Sequence, residues 1–165
     1  MTGDLSHLDA NGAARMVDVG QKPSTHRTAR ASGKVRMAPA TLDRITSGGI
    51  PKGDVIAAAR IAGILAAKRT DELIPLCHSL PVDAINLTFI PTAPGLLAIE
   101  SEVTTTGKTG VEMEALVAVS IACLTIYDMC KSIDRAMRVD EILLEEKTGG
   151  VHGDYLRDAA KKEIV

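Results

Sequence analysis

Thr104–Lys131, "TTTGKTGVEMEALVAVSIACLTIYDMCK", decides the fold, because its glycines can be read in two ways. Gly107-Lys108-Thr109 resembles the end of a nucleotide-binding P-loop, which belongs to a parallel sheet. Such a loop needs G-x-x-x-x-G-K-[ST], so that successive backbone N–H groups wrap phosphate and the lysine reaches it. Counting back from Gly107 puts Glu102 where the first glycine should stand, and its carboxylate would face the phosphates. "LLAIE" (Leu96–Glu100) resembles the acidic strand that holds magnesium, but it precedes the loop instead of following it. The stretch therefore reads as a strand that turns through glycines into a long helix. The N–H groups around Gly107–Gly110, with Lys108, still favour an anion there.

Working outward from that turn, "LLAIESEVTTT" and the earlier "DAINLTFI" form two strands joined by "PTAPG", a hairpin with a loop of about five residues. Further upstream, "KGDVIAAARIAGILAAKRTDEL" favours a helix to about Arg69, with Asp54 as its N-cap or a first-turn residue. "RTARASGKVRM" (Arg27–Met37) alternates with period two, Ala29, Ala31, Val35 and Met37 sharing one parity, and reads as a strand with a bulge at Gly33. A helical turn is expected around Thr41–Ile45. Downstream, the long helix runs from near Val111 to about Met137, and "VDEILLEEK" is a last strand. The order strand, helix, strand, strand, helix, strand predicts an α+β domain of the ferredoxin-like β-α-β-β-α-β kind. Its four-stranded antiparallel sheet would carry both helices on one face. One domain over 23–150 is expected, with an N-terminal arm over 1–22 and a mobile tail over 151–165.

Composition narrows the function. The chain has 165 residues, 45% apolar and 24% charged, with a net charge of −2, one Phe, two Tyr and no Trp. No basic run or aromatic platform suits nucleic acid. No signal peptide is visible, and no apolar stretch is read as reaching bilayer length without interruption, so a cytoplasmic protein is expected. Three cysteines, an odd number, argue for reduced thiols. Cys123 and Cys130 would lie about 10.5 Å apart along a helix, beyond disulfide reach.

"ALVAVSIACLTIYDMC" is apolar around almost its whole circumference, so this helix must be buried on more than one side. A single sheet covers one side, and the other side predicts a partner subunit. Near its end Asp128 and Lys131 are three residues apart and share a face. Their apolar neighbours place both in a partly desolvated cleft, where burial and pairing push each pKa in opposite directions, a balance that suits a proton-transfer pair. A surface pair marking the helix end is the plainer alternative. Glu112 and Glu114 are acidic residues of a first helical turn and interact well with its dipole. Glu114 lies about 40° around the helix from Asp128 but about 21 Å along it, so one helix cannot bring both to one small substrate. Cys77-His78 is too short for a zinc site, and the other histidines, His7, His26 and His152, fall in segments read as flexible, so no metal is expected. Lys52, Lys131 and Lys147 place three cations on element ends, a pattern appropriate to a polyphosphate.

"LSHLDANGAARMVDV", "KGDVIAAARIAGILAAKRTDELIPLCHSLP" and "TGKTGVEMEALVAVSIACLTIYDMCKSIDRAM" closely resemble the cyclic pyranopterin monophosphate synthase family of molybdenum-cofactor biosynthesis, over about Leu5–Gly150. The resemblance implies a homohexamer, a trimer of dimers with interface active sites. It implies conversion of 3′,8-cyclo-7,8-dihydroguanosine 5′-triphosphate, supplied by an upstream radical enzyme, to cyclic pyranopterin monophosphate and pyrophosphate, with no redox cofactor. Asp128, Lys131 and Lys52 match the family's catalytic positions. Leu76, Cys77, His78, Met113 and Glu114 match its substrate contacts, with Glu112 and Lys147 also lining the site. Ser79 stands where the family usually has proline, and Val151-His152 where a basic residue and serine are common. Two other readings compete: a non-catalytic ferredoxin-like binding module, which leaves the Asp-Lys pair unexplained, and a P-loop NTPase, opposed by Glu102.

Overall fold

Arg27, Ala29, Ala31, Gly33 and Val35 all point inward from one strand, and this alternation fixes which side of the sheet becomes the core. The computed structural model of the chain describes residues 12–151 and 153–158. Its elements are β1 (Thr25–Arg36), α1 (Pro39–Thr46), α2 (Val55–Ala67), α3 (Thr70–Leu73), β2 (Ala84–Ala93), β3 (Leu96–Gly107), α4 (Glu112–Cys130), β4 (Arg138–Thr148) and β5 (Tyr155–Leu156). The sheet order is β2-β3-β1-β4-β5, with every neighbouring pair antiparallel.

The α+β class and the antiparallel sheet agree with the sequence reading, but the sheet has five strands instead of four. The fifth comes from residues read as tail. Gly149 and Gly153 take positive φ (82° each), which reverses the chain. Tyr155–Leu156 then pair with Lys147 and Glu146. Arg157 fastens the strand, its N–H donating to Glu145 O and its Nε to Leu144 O, both at 2.8 Å.

Two boundaries also differ. The β2–β3 loop is two residues, not about five, because β2 continues through Pro91. An edge strand tolerates proline, whose missing N–H faces away from the ladder, and β2 is an edge. α4 stops at Cys130, short of Met137. There Asp134 draws the chain aside, its carboxylate accepting from Ala38 N (2.8 Å), Thr41 Oγ1 (3.2 Å) and Ala136 N (3.1 Å).

α4 lies across β1, β3 and β4. A Cβ on Gly33 would come 2.5 Å from Val119 Cγ1 of α4, so that glycine permits the close approach. Ser101 Oγ of β3 donates to Ala115 O of α4 at 2.8 Å, which satisfies a buried hydroxyl. Val119, Ala122, Cys123 and Ile126 are wholly buried. Removing a side chain the size of Ile126 from water contributes about 1.5–3 kcal/mol.

The second side of α4 is covered by α2 of the same chain. A Cβ on Gly63 would lie only 2.8 Å from Ala118 O, so the two helices touch nearly backbone to backbone. A partner subunit is thus not needed to cover all of that side. What stays exposed is a narrower apolar strip, Ile61 (59%) and Leu65 (50%) on α2 and Leu124 (55%) on α4. By length and composition α4, 19 residues with mean hydropathy 1.6, is apolar enough to cross a membrane, contrary to the sequence reading. In the fold it is a core helix instead, since most of the side chains that make it apolar are packed against the sheet and α2. Cys77, Cys123 and Cys130 are free thiols. His7, residues 1–11 of the expected arm, His152 and residues 159–165 lie outside the described residues.

Candidate active site

Asp54 caps α2 by accepting from Ala57 N at 2.9 Å, worth about 1 kcal/mol. The cap sets the preceding loop, and with it Lys52, against the far end of α4. Lys52 Nζ donates to Asp128 Oδ2 (3.1 Å) and to the backbone O of Asp128 (2.9 Å). That carbonyl is one of the last four of α4, which lack helical partners. Lys131 Nζ reaches Asp128 Oδ1 at 2.7 Å. Two lysines therefore clasp one carboxylate.

Among the described residues nothing buries this group as a desolvated cleft would. Asp128, Lys131 and Lys52 are about half exposed. With little burial to oppose it, pairing prevails. The hydrogen bonds and charges of Lys131 and Lys52 hold the Asp128 carboxyl below its ordinary range. Asp128 in turn raises Lys131.

The opposite end of α4 carries the other candidates. Leu76, Cys77, His78, Glu112 and Met113 line one cleft of about 570 Å³, walled on its other side by Val17, Val19 and Lys22. His78 Nε2 lies 2.7 Å from Val17 O, so that nitrogen donates. Lys147 Nζ sits 2.9 Å from Glu112 Oε1. Glu114 is beneath, 2% exposed, with Oε1 accepting from Cys77 Sγ at 3.8 Å and Oε2 without a hydrogen-bond partner among the described residues.

Burial, aided by the Glu112 charge, pushes the Glu114 carboxyl up to about 7, although its own backbone N–H and the Cys77 thiol oppose the rise. Burial and the Glu114 charge push the Cys77 thiol up to about 11, which keeps it a donor. Near neutrality Glu114 can therefore either hold or release a proton against a ligand. The raised value has a consequence for stability. From about pH 4.5 to about 7 the folded chain keeps a proton that the unfolded chain has lost. Stability therefore falls with rising pH across that window, by up to about 3 kcal/mol. Glu114→Gln should remove this fall. Urea unfolding of both proteins across that window checks it, and parallel stability curves would refute it.

The sequence thus identified two groups that the fold keeps apart. Lys52 and Lys131 meet at Asp128, whereas Lys147 joins Glu112 at the other end, so the three lysines do not form one polyphosphate grip within a chain. A second cleft, adjoining the first at Lys22, Thr109, Gly110 and Glu112, adds Arg27, Lys108 and Lys147. Arg27 was missed by sequence reasoning. Its signal was present: it has the inward parity of Ala29 and Ala31, so it is a charged residue on the core face of β1. Among the described residues no group of three or more His, Cys, Asp or Glu could hold a metal.

A family model described as "MoaC family" matches residues 16–150. The chain is 60% identical over 156 residues, 94% of its length and 92% of the relative's, to "Cyclic pyranopterin monophosphate synthase 1" of Mycobacterium tuberculosis H37Rv. It is 61% identical over 155 residues to "Cyclic pyranopterin monophosphate synthase" of Chloroflexus aggregans, covering 93% of this chain and 94% of the relative. A third relative, "Cyclic pyranopterin monophosphate synthase 3" of Mycobacterium tuberculosis H37Rv, is 59% identical over 158 residues, 96% of this chain and 89% of its own.

Proposed function

The chain belongs to the MoaC family, and on that premise we propose that it is a cyclic pyranopterin monophosphate synthase of molybdenum-cofactor biosynthesis. It converts 3′,8-cyclo-7,8-dihydroguanosine 5′-triphosphate, made by an upstream radical enzyme, to cyclic pyranopterin monophosphate and pyrophosphate. The carrying observation is identity near 60% over more than nine-tenths of the chain to synthases of that name. The site chemistry supports it: a carboxylate between two lysines, a buried carboxyl titrating near neutrality and a cation-lined cleft suit proton transfers and departure of a phosphate group. No NTPase reading is supported, since the sheet neighbours are all antiparallel.

In this reading Asp128, Lys131 and Lys52 are the catalytic set. Leu76, Cys77, His78, Met113 and Glu114 hold the substrate, with Glu112 and Lys147 beside it. β1, α2, β2, β3, α4 and β4 make a ferredoxin-like unit, supported by the order β4-β1-β3-β2 and extended by β5. Residues 23–150 form the catalytic domain, between an arm and a tail, and the protein works in the cytoplasm, as its free thiols allow.

The subunits assemble as a trimer of dimers with shared sites. Two features support sharing: the separation of Asp128 from Glu114, about 21 Å along α4, and the uncovered strip of Ile61, Leu65 and Leu124. A two-fold partner with α4 reversed would bring one chain's Asp128 end to the other's Glu114 end. The test supplies the cyclic GTP derivative to the purified protein and looks for the pterin product and pyrophosphate. Absence of product, or hydrolysis of ordinary GTP instead, would overturn the reading.

A further inference from the structure

Asp134 stands in the turn that follows α4, tied there by its own N–H, which donates to Cys130 O at 3.0 Å. Its carboxylate accepts from Ala38 N and Thr41 Oγ1, both at the start of α1, and from Ala136 N. Ala38, the N-cap of α1, supplies no side-chain cap of its own. Asp134 fills that role from a segment remote in sequence, and its negative charge suits the N-terminal end of the helix dipole.

The other end of α1 is fastened too. Arg44 Nε and Nη2 both donate to Gly49 O, at 3.2 and 3.0 Å, and Gly49 N donates back to Arg44 O at 2.8 Å. Ile50 is buried, and Gly53 N closes a turn onto Ile50 O at 3.0 Å with Lys52 between them. α1 is therefore a bar that joins the turn after Lys131 to the turn that carries Lys52. Cys130 senses the same neighbourhood: burial, then the Asp134 charge, pushes its thiol up, while the charges of Lys52 and Arg44 oppose the rise.

Lys52 needs such a bar. Its Nζ reaches Asp128 Oδ2 and the Asp128 backbone O together, at 3.1 and 2.9 Å. Both side chains are about half exposed. An exposed ion pair contributes little by itself, because water screens it and long side chains lose freedom in forming it. The pair does not hold the loop; the loop holds the pair. Among the described residues no hydrogen bond or ion pair joins Asp134 to Asp128, Lys131 or Lys52.

We propose that Asp134 is a positioning residue for the reaction, acting through α1 and Arg44 to set Lys52 against Asp128. A misplacement of about 1 Å caused from outside the reacting centre can cost about a hundredfold in rate. This role rests on Asp128, Lys131 and Lys52 being the catalytic set, but the placement of Lys52 can be read without turnover.

Asp134→Ala should lower kcat at least about tenfold with KM within about twofold, the split expected when a transition-state contact is lost and ground-state binding is kept. Asp134→Asn keeps an oxygen that can accept from Ala38 N and should stay within about threefold of wild type. Reductive methylation of the full-length protein, read lysine by lysine by mass spectrometry, follows Lys52 itself. Freed from a carboxylate that favours its charged form, Lys52 should react at least about threefold faster in Asp134→Ala, while Lys147 reacts as in wild type. Arg44→Gln, an exposed side chain at the other end of α1, should show both changes at about threefold each. Unchanged kcat in a folded Asp134→Ala protein would overturn the proposal. So would a lowered kcat with Lys52 methylated at the wild-type rate, or an Asp134→Asn protein as slow as Asp134→Ala. If Asp134→Ala does not fold, unchanged kcat and methylation in Arg44→Gln would do so. Lys52 responding as described in a protein that makes no pterin product leaves the positioning of Lys52 standing and refutes the proposed reaction.

Discussion

Asp128→Asn should reduce formation of the pterin product by at least about a thousandfold, within the range that positioned proton-transfer groups contribute. The substitution keeps shape and hydrogen-bonding capacity but removes the charge that two lysines clasp at 2.7 and 3.1 Å. It leaves the fold alone: the side chain is more than half exposed, where substitutions usually change stability by no more than about 0.5 kcal/mol. Lys131→Ala and Lys52→Ala should be similarly inactive, for a related reason. Each leaves Asp128 with one cation, and Lys52→Ala also frees a terminal carbonyl of α4. Product assays beside thermal unfolding separate chemistry from folding. Full activity in any of the three variants would remove the Asp128 cluster from the mechanism.

The second large effect concerns sharing of the site between chains. Asp128→Asn and Glu114→Gln proteins, each nearly inactive alone, should regain activity when unfolded together and reassembled. In a two-fold dimer with random pairing, half the dimers are mixed and one of their two sites is intact, so recovery should approach roughly a quarter of wild type. No recovery would place both ends of α4 in separate functions. Leu124→Asp, on the exposed apolar strip, should split the assembly and remove activity with it, which sedimentation and product assays check together. A monomer that retains full activity would contradict the shared site.

Much of this was legible along the chain because the signals are short-range. The alternation of Ala29, Ala31 and Val35 specifies β1 and its inward face with no knowledge of the partner strands. Likewise Asp54 ahead of an alanine-rich run specifies the start of α2. Glu102 sufficed to reject the P-loop, since a glycine requirement is local. The chemistry of Asp128 with Lys131 follows from a three-residue spacing on a helix.

Other features depend on which segments meet. Burial around Asp128 was misjudged because its apolar sequence neighbours, Ile126 and Cys130, turn into the core while Asp128 points away. The desolvation belongs instead to Glu114, whose Oε1 reaches Cys77 from a different loop. Whether the long apolar helix needed a second subunit to cover it turned on Gly63, which lets α2 approach α4 closely. β5 depends on its pairing with Glu146 and Lys147 of β4, which Arg157 reinforces by donating to two β4 carbonyls.

The sequence by itself determined the types of the main elements from β1 to β4, the family and most of the candidate site residues, because periodicity, capping and motif spacing act within a few residues. Only the tertiary structure decided how those residues are grouped. It sent Lys52 to Asp128 and Lys147 to Glu112 and set Arg27 with a donor unused. Charge pairing and desolvation depend on distances between segments remote in sequence, and those distances are fixed by strand register and helix packing.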